Sequence, residues 1–98
     1  MTIQKELTGN NAVITLEGRL DTTTAPELEA ELKSVLDQAD TLTFDFAKLE
    51  YISSAGLRVL LSAHKAMSRK GGMKITHVNE IVQEVFEVTG FSDILTIE

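Results

Sequence analysis

The sequence predicts a single α/β domain over residues 1–98. It is built on a mixed, mostly parallel sheet with an N-terminal β-hairpin and packed helices, in the order ββαβαβα with a further edge strand at the end. Three observations carry this. From Ile3 to Glu17 apolar and polar residues alternate with a period of two across Gly9-Asn10-Asn11, the pattern of two antiparallel strands. Beyond Gly18, segments with three- and four-residue apolar steps alternate with short apolar runs, and strand–helix–strand alternation implies parallel pairing through right-handed crossovers. The chain is 98 residues long, 43% hydrophobic and 24% charged, which suffices for one core and not for two.

The elements follow in order. In the hairpin Ile3, Lys5 and Leu7 oppose Gln4, Glu6 and Thr8 in direction, and Ala12, Ile14 and Leu16 oppose Val13, Thr15 and Glu17. After Gly18-Arg19-Leu20-Asp21, Thr24-Ala25-Pro26-Glu27 reads as a capping box with Pro in the first turn, so a helix starts near Ala25. Ala25, Leu28, Leu32, Val35, Leu36 and Ala39 give it one apolar face. Leu42, Phe44 and Phe46 alternate with Thr43 and Asp45 as a strand, and Lys48 to Ile52 reads as a loop leading to Ser53-Ser54. Leu57, Leu60, Leu61, His64 and Met67 then share one helical stripe, with Gly71-Gly72 as a left-handed stop. Met73 to Val78 reads as a strand and Asn79 as the N-cap of a helix carrying Ile81, Val82, Val85 and Phe86. Gly90 ends that helix, and Phe91 to Glu98 closes on a short turn and an edge strand.

Composition narrows the function. With no Cys there are no disulfides, thiol nucleophiles or Cys-based zinc sites. The apolar runs are far shorter than the roughly 20 residues of a membrane span, and Met1 to Glu6 does not resemble a signal peptide, so a cytoplasmic protein without membrane attachment is expected. A net charge of −6 argues against direct nucleic-acid binding. The charge is unevenly spread: residues 24–53 hold two bases and seven acids, 54–79 hold Arg58, Lys65, Arg69, Lys70 and Lys74 with no acid, and 80–98 hold five acids with no base. Either neighbouring faces pair weakly across a solvated surface, or opposite-sign patches steer a charged protein partner.

Catalytic patterns are missing. Ser53-Ser54-Ala55-Gly56 lacks the leading Gly of a hydrolase elbow, His64 lies on an apolar stripe, and His77 has no acidic neighbour in sequence. No metal-ligand spacing and no phosphate-cradling Gly motif occurs, so a non-enzyme without metal or cofactor is expected. One junction stands out. Tyr51-Ile52 runs into Ser53-Ser54-Ala55-Gly56-Leu57, which places two hydroxyls at a helix N-terminus beside the carboxyl end of a parallel strand, the edge where α/β folds build their sites. One Ser can cap the helix; the other is spare, and a phosphate there would sit on the positive end of the helix dipole.

These residues resemble a family. The hairpin, Gly18-Arg19-Leu20-Asp21 before an acidic helix, the Phe44-Asp45 strand and Tyr51-Ile52-Ser53-Ser54-Ala55-Gly56-Leu57-Arg58 look like a STAS domain of the bacterial anti-sigma factor antagonist type, over essentially the whole chain. The resemblance implies partner switching: the protein binds a GHKL-class serine kinase that is itself an anti-sigma factor, the kinase phosphorylates a hydroxyl at the start of the second helix, and a PP2C-type phosphatase restores binding. The common family pattern is Asp-Ser-Ser-Gly-Leu or Asp-Ser-Thr-Gly-Leu with the second hydroxyl phosphorylated. Aligned on Gly56-Leu57, Ser53 takes the Asp position, Ser54 the first hydroxyl and Ala55 the usual acceptor. Ser54, nearest the usual position, is the expected acceptor and Ser53 the second choice. Asp21 matches an acidic loop residue that lies beside the family's phosphorylation site. The partner surface implied comprises Asp21, Tyr51, Ser53, Ser54, Gly56, Leu57 and Arg58, with Leu57 either an anchor or part of the core. The alternative is a STAS module without the switch, serving as a scaffold subunit of a transport or sensory complex.

Overall fold

In the computed structural model, which describes residues 1–98, the two alternating segments form β1 (Thr2–Thr8) and β2 (Asn11–Leu20), paired antiparallel with Ile3 opposite Leu16 and Leu7 opposite Ala12. The chain continues through α1 (Ala25–Gln38), β3 (Thr41–Ile52), α2 (Ser54–Met67), β4 (Met73–Thr76), α3 (Glu80–Thr89), a 3-10 turn (Phe91–Asp93) and β5 (Thr96–Ile97). The strands lie in sequence order, β1 to β5, and β2 through β5 are parallel. Right-handed crossovers that all step the same way put every helix on one face of the sheet. Burial agrees: Ala12, Ile14, Leu16, Leu42, Phe44, Phe46, Met73 and Ile75 are buried, while the alternate residues Thr15, Thr43, Asp45 and Lys74 line a polar, uncovered face. None of the helices is long and apolar enough to cross a membrane.

Leu28, Leu32 and Val35 of α1 fill this core as the spacing requires, and Phe46 links Phe44, 5.7 Å away between ring centroids, to Phe86 of α3 at 6.5 Å. Such tilted pairs favour ring edges against faces. Asn79 caps α3 by accepting from the Val82 amide at 2.8 Å, and Gly90 ends it with φ 82°, a left-handed turn that costs a glycine little.

Five local readings are corrected. Lys48 to Ile52 is not a loop: Leu49 and Ile52 are buried and the segment extends β3, pairing with β2 across the second of two register shifts. Thr24-x-x-Glu27 does not form a capping box, because the Thr24 hydroxyl donates to the Arg19 carbonyl at 2.9 Å and accepts from the Asp21 amide at 2.8 Å. On α2 the buried set is Gly56, Leu57, Val59, Leu60, Ala63 and Met67, with Leu61 and His64 only half-buried; the helix packs on both α1 and β3, so small residues are needed where it comes close. The strand after Gly72 stops at Thr76, and His77 turns out of it with φ 59° to set its Nδ1 3.1 Å from Asp45 Oδ1, across a parallel register no sequence neighbour reveals. Gly72 alone of the Gly71-Gly72 pair is left-handed, and it comes after α2 has ended.

Gly56 is the tightest point of α2. A Cβ there would lie 2.7 Å from Leu20 Cγ and 2.9 Å from Ile52 Cγ1, both in fully buried side chains. Overpacking costs about 1–3 kcal/mol, of which helix propensity returns about 1. Gly56→Ala should therefore lower stability by about 1 kcal/mol, read as a lower urea midpoint at unchanged m-value; a raised midpoint would show that Leu20 and Ile52 yield freely.

Candidate functional site

The second register shift in the β2–β3 pairing, between Gly18 and Arg19, aligns Arg19 with Tyr51 and Leu20 with Ile52. The ladder ends where the Ser53 amide donates to the Leu20 carbonyl at 2.9 Å. Asp21 and Ser54 therefore leave the sheet side by side, one into the turn before α1 and the other into α2. Each owes its place to the same strand pair.

At the start of α2, Ser53 is the N-cap by backbone geometry, φ −101° and ψ 177°, and its carbonyl accepts from the Leu57 amide at 2.9 Å. Neither serine hydroxyl caps the helix. Ser53 Oγ is buried and has no hydrogen-bond partner, whereas Ser54 is exposed. The expected division into a capping and a spare hydroxyl is thus replaced by a buried and a free one. The first amides of α2 keep their positive end without a side-chain acceptor.

Asp21 is held by its own turn. Its Oδ1 accepts from the Thr23 hydroxyl at 2.7 Å, the Thr23 amide at 3.0 Å and the Thr24 amide at 3.2 Å. The Thr23 hydroxyl bond leads in keeping its pKa below the usual carboxylate value, against a smaller opposing effect of desolvation. This side chain, not Thr24, supplies the acceptor that the amides before α1 need. Beside it the Arg19 guanidinium stacks over the Tyr51 ring, 4.6 Å from the centroid, with Nε 4.0 Å from Asp21 Oδ2. Arg58 lies one turn along α2 from Ser54 and is exposed. Leu57, at 5% exposure, belongs to the core, and Gly56 serves the contact with Leu20 and Ile52.

Asp21, Tyr51, Ser53 and Ser54 are thus gathered at one edge, with Arg58 on the adjoining helix surface. Sequence reading missed Arg19 as a member. Its signal is the cross-strand position opposite Tyr51, which is invisible while residues 48–52 are read as a loop. Of the five bases between 54 and 79, Lys70 donates to the Leu36 and Ala39 carbonyls at the end of α1 and Lys74 pairs with Glu98 at 3.5 Å. Arg58, Lys65 and Arg69 pair with no acid of the chain.

Comparison with known proteins places this geometry. The family described as "Mlab, STAS domain" matches residues 3–96. A Bordetella bronchiseptica protein bearing the name anti-sigma factor antagonist BtrV is 37% identical over 84 residues, covering 84% of this chain and 72% of its own. Two solved structures share the fold. An anti-sigma factor antagonist from Mycobacterium paratuberculosis has TM-score 0.88 at 23% identity, covering 98% of this chain and 83% of its own. The Bacillus cell fate determinant SpoIIAA in its phosphorylated form has TM-score 0.76 at 20% identity, covering 99% and 91%. Relatives of this kind are regulatory binding proteins and not enzymes.

Asp21 sets a pH test. A carboxylate whose folded pKa is lowered contributes stability that is complete above its unfolded value and is lost as pH falls through the folded one. Asp21→Asn should lower the melting temperature most at neutral pH, and the difference from wild type should shrink below the ordinary value of 3.8. A difference constant from neutral to strongly acid pH would show that the charge contributes nothing. By sequence and fold alike, the chain belongs to the STAS domain family of anti-sigma factor antagonists.

Proposed function

We propose that this protein is an anti-sigma factor antagonist that binds a GHKL-class serine kinase acting as the anti-sigma factor, is released when that kinase phosphorylates Ser54, and is restored by a PP2C-type phosphatase. The observation that carries the reading is the exposed, unbonded Ser54 hydroxyl at an uncapped helix N-terminus, beside the fixed carboxylate of Asp21. Ser53, whose Oγ is buried, is the poorer acceptor because a kinase must reach the oxygen it modifies.

A phosphate adds about −1.5 to −2 charge at neutral pH, and the positive end of α2 offsets part of it within this chain. The partner meets the same anion across a surface fitted to a neutral hydroxyl and desolvates it without a compensating cation. Binding changes while folding does not. Tyr51 and Arg58 flank the junction as an aromatic contact and a rim charge; buried Leu57 offers no anchor.

Incubation with the cognate kinase and ATP should add one phosphate to wild type and to Ser53→Ala, and none to Ser54→Ala. The phosphorylated protein should bind the kinase at least tenfold more weakly, a loss of about 1.4 kcal/mol, with its melting temperature shifted by no more than a few degrees. Phosphate on the Ser53→Ala, Ser54→Ala double variant would end the junction reading. Separately, Arg58→Glu should slow association most at low salt, and equal slowing at high salt would remove Arg58 from the rim.

A second reading, a scaffold subunit without the switch, is favoured by Ala55 standing at the family's usual acceptor position. It predicts a stable partner complex and an unchanged mass after the same incubation.

A further inference from the structure

We propose that the outer face of α3 is a docking surface for a basic amphipathic helix of a partner protein, separate from the Ser54 junction. α3 is apolar on two sides. Val82 and Phe86 are fully buried against the sheet, while Ile81 is 59% and Val88 79% exposed, with half-buried Val85 between them at i, i+4 and i+7. At 3.6 residues per turn this second row lies roughly 110° around the helix from the buried pair. Ile94, just beyond the helix, is 46% exposed. Of the exposed large apolar side chains, Ile81 and Val88 lie on α3 and Ile94 follows it in the chain, while Leu7 is on β1. A sheet-packing helix needs one apolar face; the second is unexplained by folding.

Charge selects the occupant. Glu80, Glu84 and Glu87 repeat the i, i+4, i+7 spacing and form a row along the edge of the apolar one that faces away from the core. None of these three, nor Asp93, pairs with a base of the chain. Residues 80–98 contain five acids and no base, and only Glu98 is paired, to Lys74. A second copy is a poor occupant. Antiparallel pairing of two α3 helices sets acidic row against acidic row, and each chain carries −6 overall. The unpaired bases Arg58 and Lys65 of α2 and Arg69 just beyond it have no exposed large apolar side chain in the same segment. A helix with apolar residues at three- and four-residue steps and Lys or Arg along one flank satisfies both rows at once.

The test uses the 98-residue chain, labelled with nitrogen-15, and two synthetic helical peptides with the same leucine stripe, one flanked by Lys and the other by Glu. The Lys peptide should shift amide resonances of α3 and the 3-10 turn and leave the Ser53-Ser54 junction unmoved. Its affinity should exceed that of the Glu peptide at least tenfold at low salt. Glu84→Lys with Glu87→Lys should reverse that preference. Val88→Ser should abolish binding without altering the melting temperature, since the side chain is exposed. Ser54→Asp should bind the Lys peptide like wild type, so the result stands apart from the fate of the phosphorylation reading. Shifts mapping elsewhere, equal affinity for both peptides, or sedimentation of the free protein as a dimer that Val88→Ser dissolves would each overturn the proposal.

Discussion

The parallel ladder between the ends of β2 and β3 is the constraint from which the candidate site follows. Its last bond, from the Ser53 amide to the Leu20 carbonyl, fixes where one chain segment turns into α1 and the other into α2. Gly56 makes this possible from the other side: the missing side chain lets α2 descend onto Leu20 and Ile52, the two core residues that pair in the ladder. Because those residues are fully buried, displacing the helix start exposes apolar surface as well as breaking hydrogen bonds. The serine pair is thereby held against fully buried core residues, although Ser54 itself faces solvent.

On this rigid base the chemistry is electrostatic. Asp21 is committed to its own turn by three hydrogen bonds, and Arg19 is occupied with Tyr51. The amides at the start of α2 have no side-chain acceptor. On the proposed reading, an added phosphate would find a positive helix end in its own chain and would change the surface a partner meets without rearranging the fold. The distribution of charge extends the same logic beyond the junction: bases outside on α2, acids outside on α3, and few of either neutralised internally.

Sequence reading recovered what local chemistry determines. The β-hairpin, the apolar face of α1, the Asn79 cap and the Gly90 stop depend on residues close to one another in sequence, and all are found. It failed where distant partners decide. Lys48 to Ile52 is strand only because Gly18 to Leu20 lies alongside, and Thr24 gives up its capping role because Asp21 is better placed to accept. His77 meets Asp45 only across the sheet. At the site, Ser54, Asp21 and Tyr51 were legible from a motif, while the burial of Ser53 Oγ and the Arg19–Tyr51 stack required the β2–β3 register.

The central claim is that the junction is a fixed platform that carries charge and does not unfold to switch. Native-state hydrogen exchange at the Ser53 amide, with the Phe44 amide as a core reference, measures this directly in unmodified and Ser54-phosphorylated protein. The account predicts that Ser53 exchanges only through global unfolding, at the free energy of Phe44, in both states. Exchange of Ser53 through a lower-energy local opening, or loss of its protection on phosphorylation, would mean that the helix start melts and that switching is conformational.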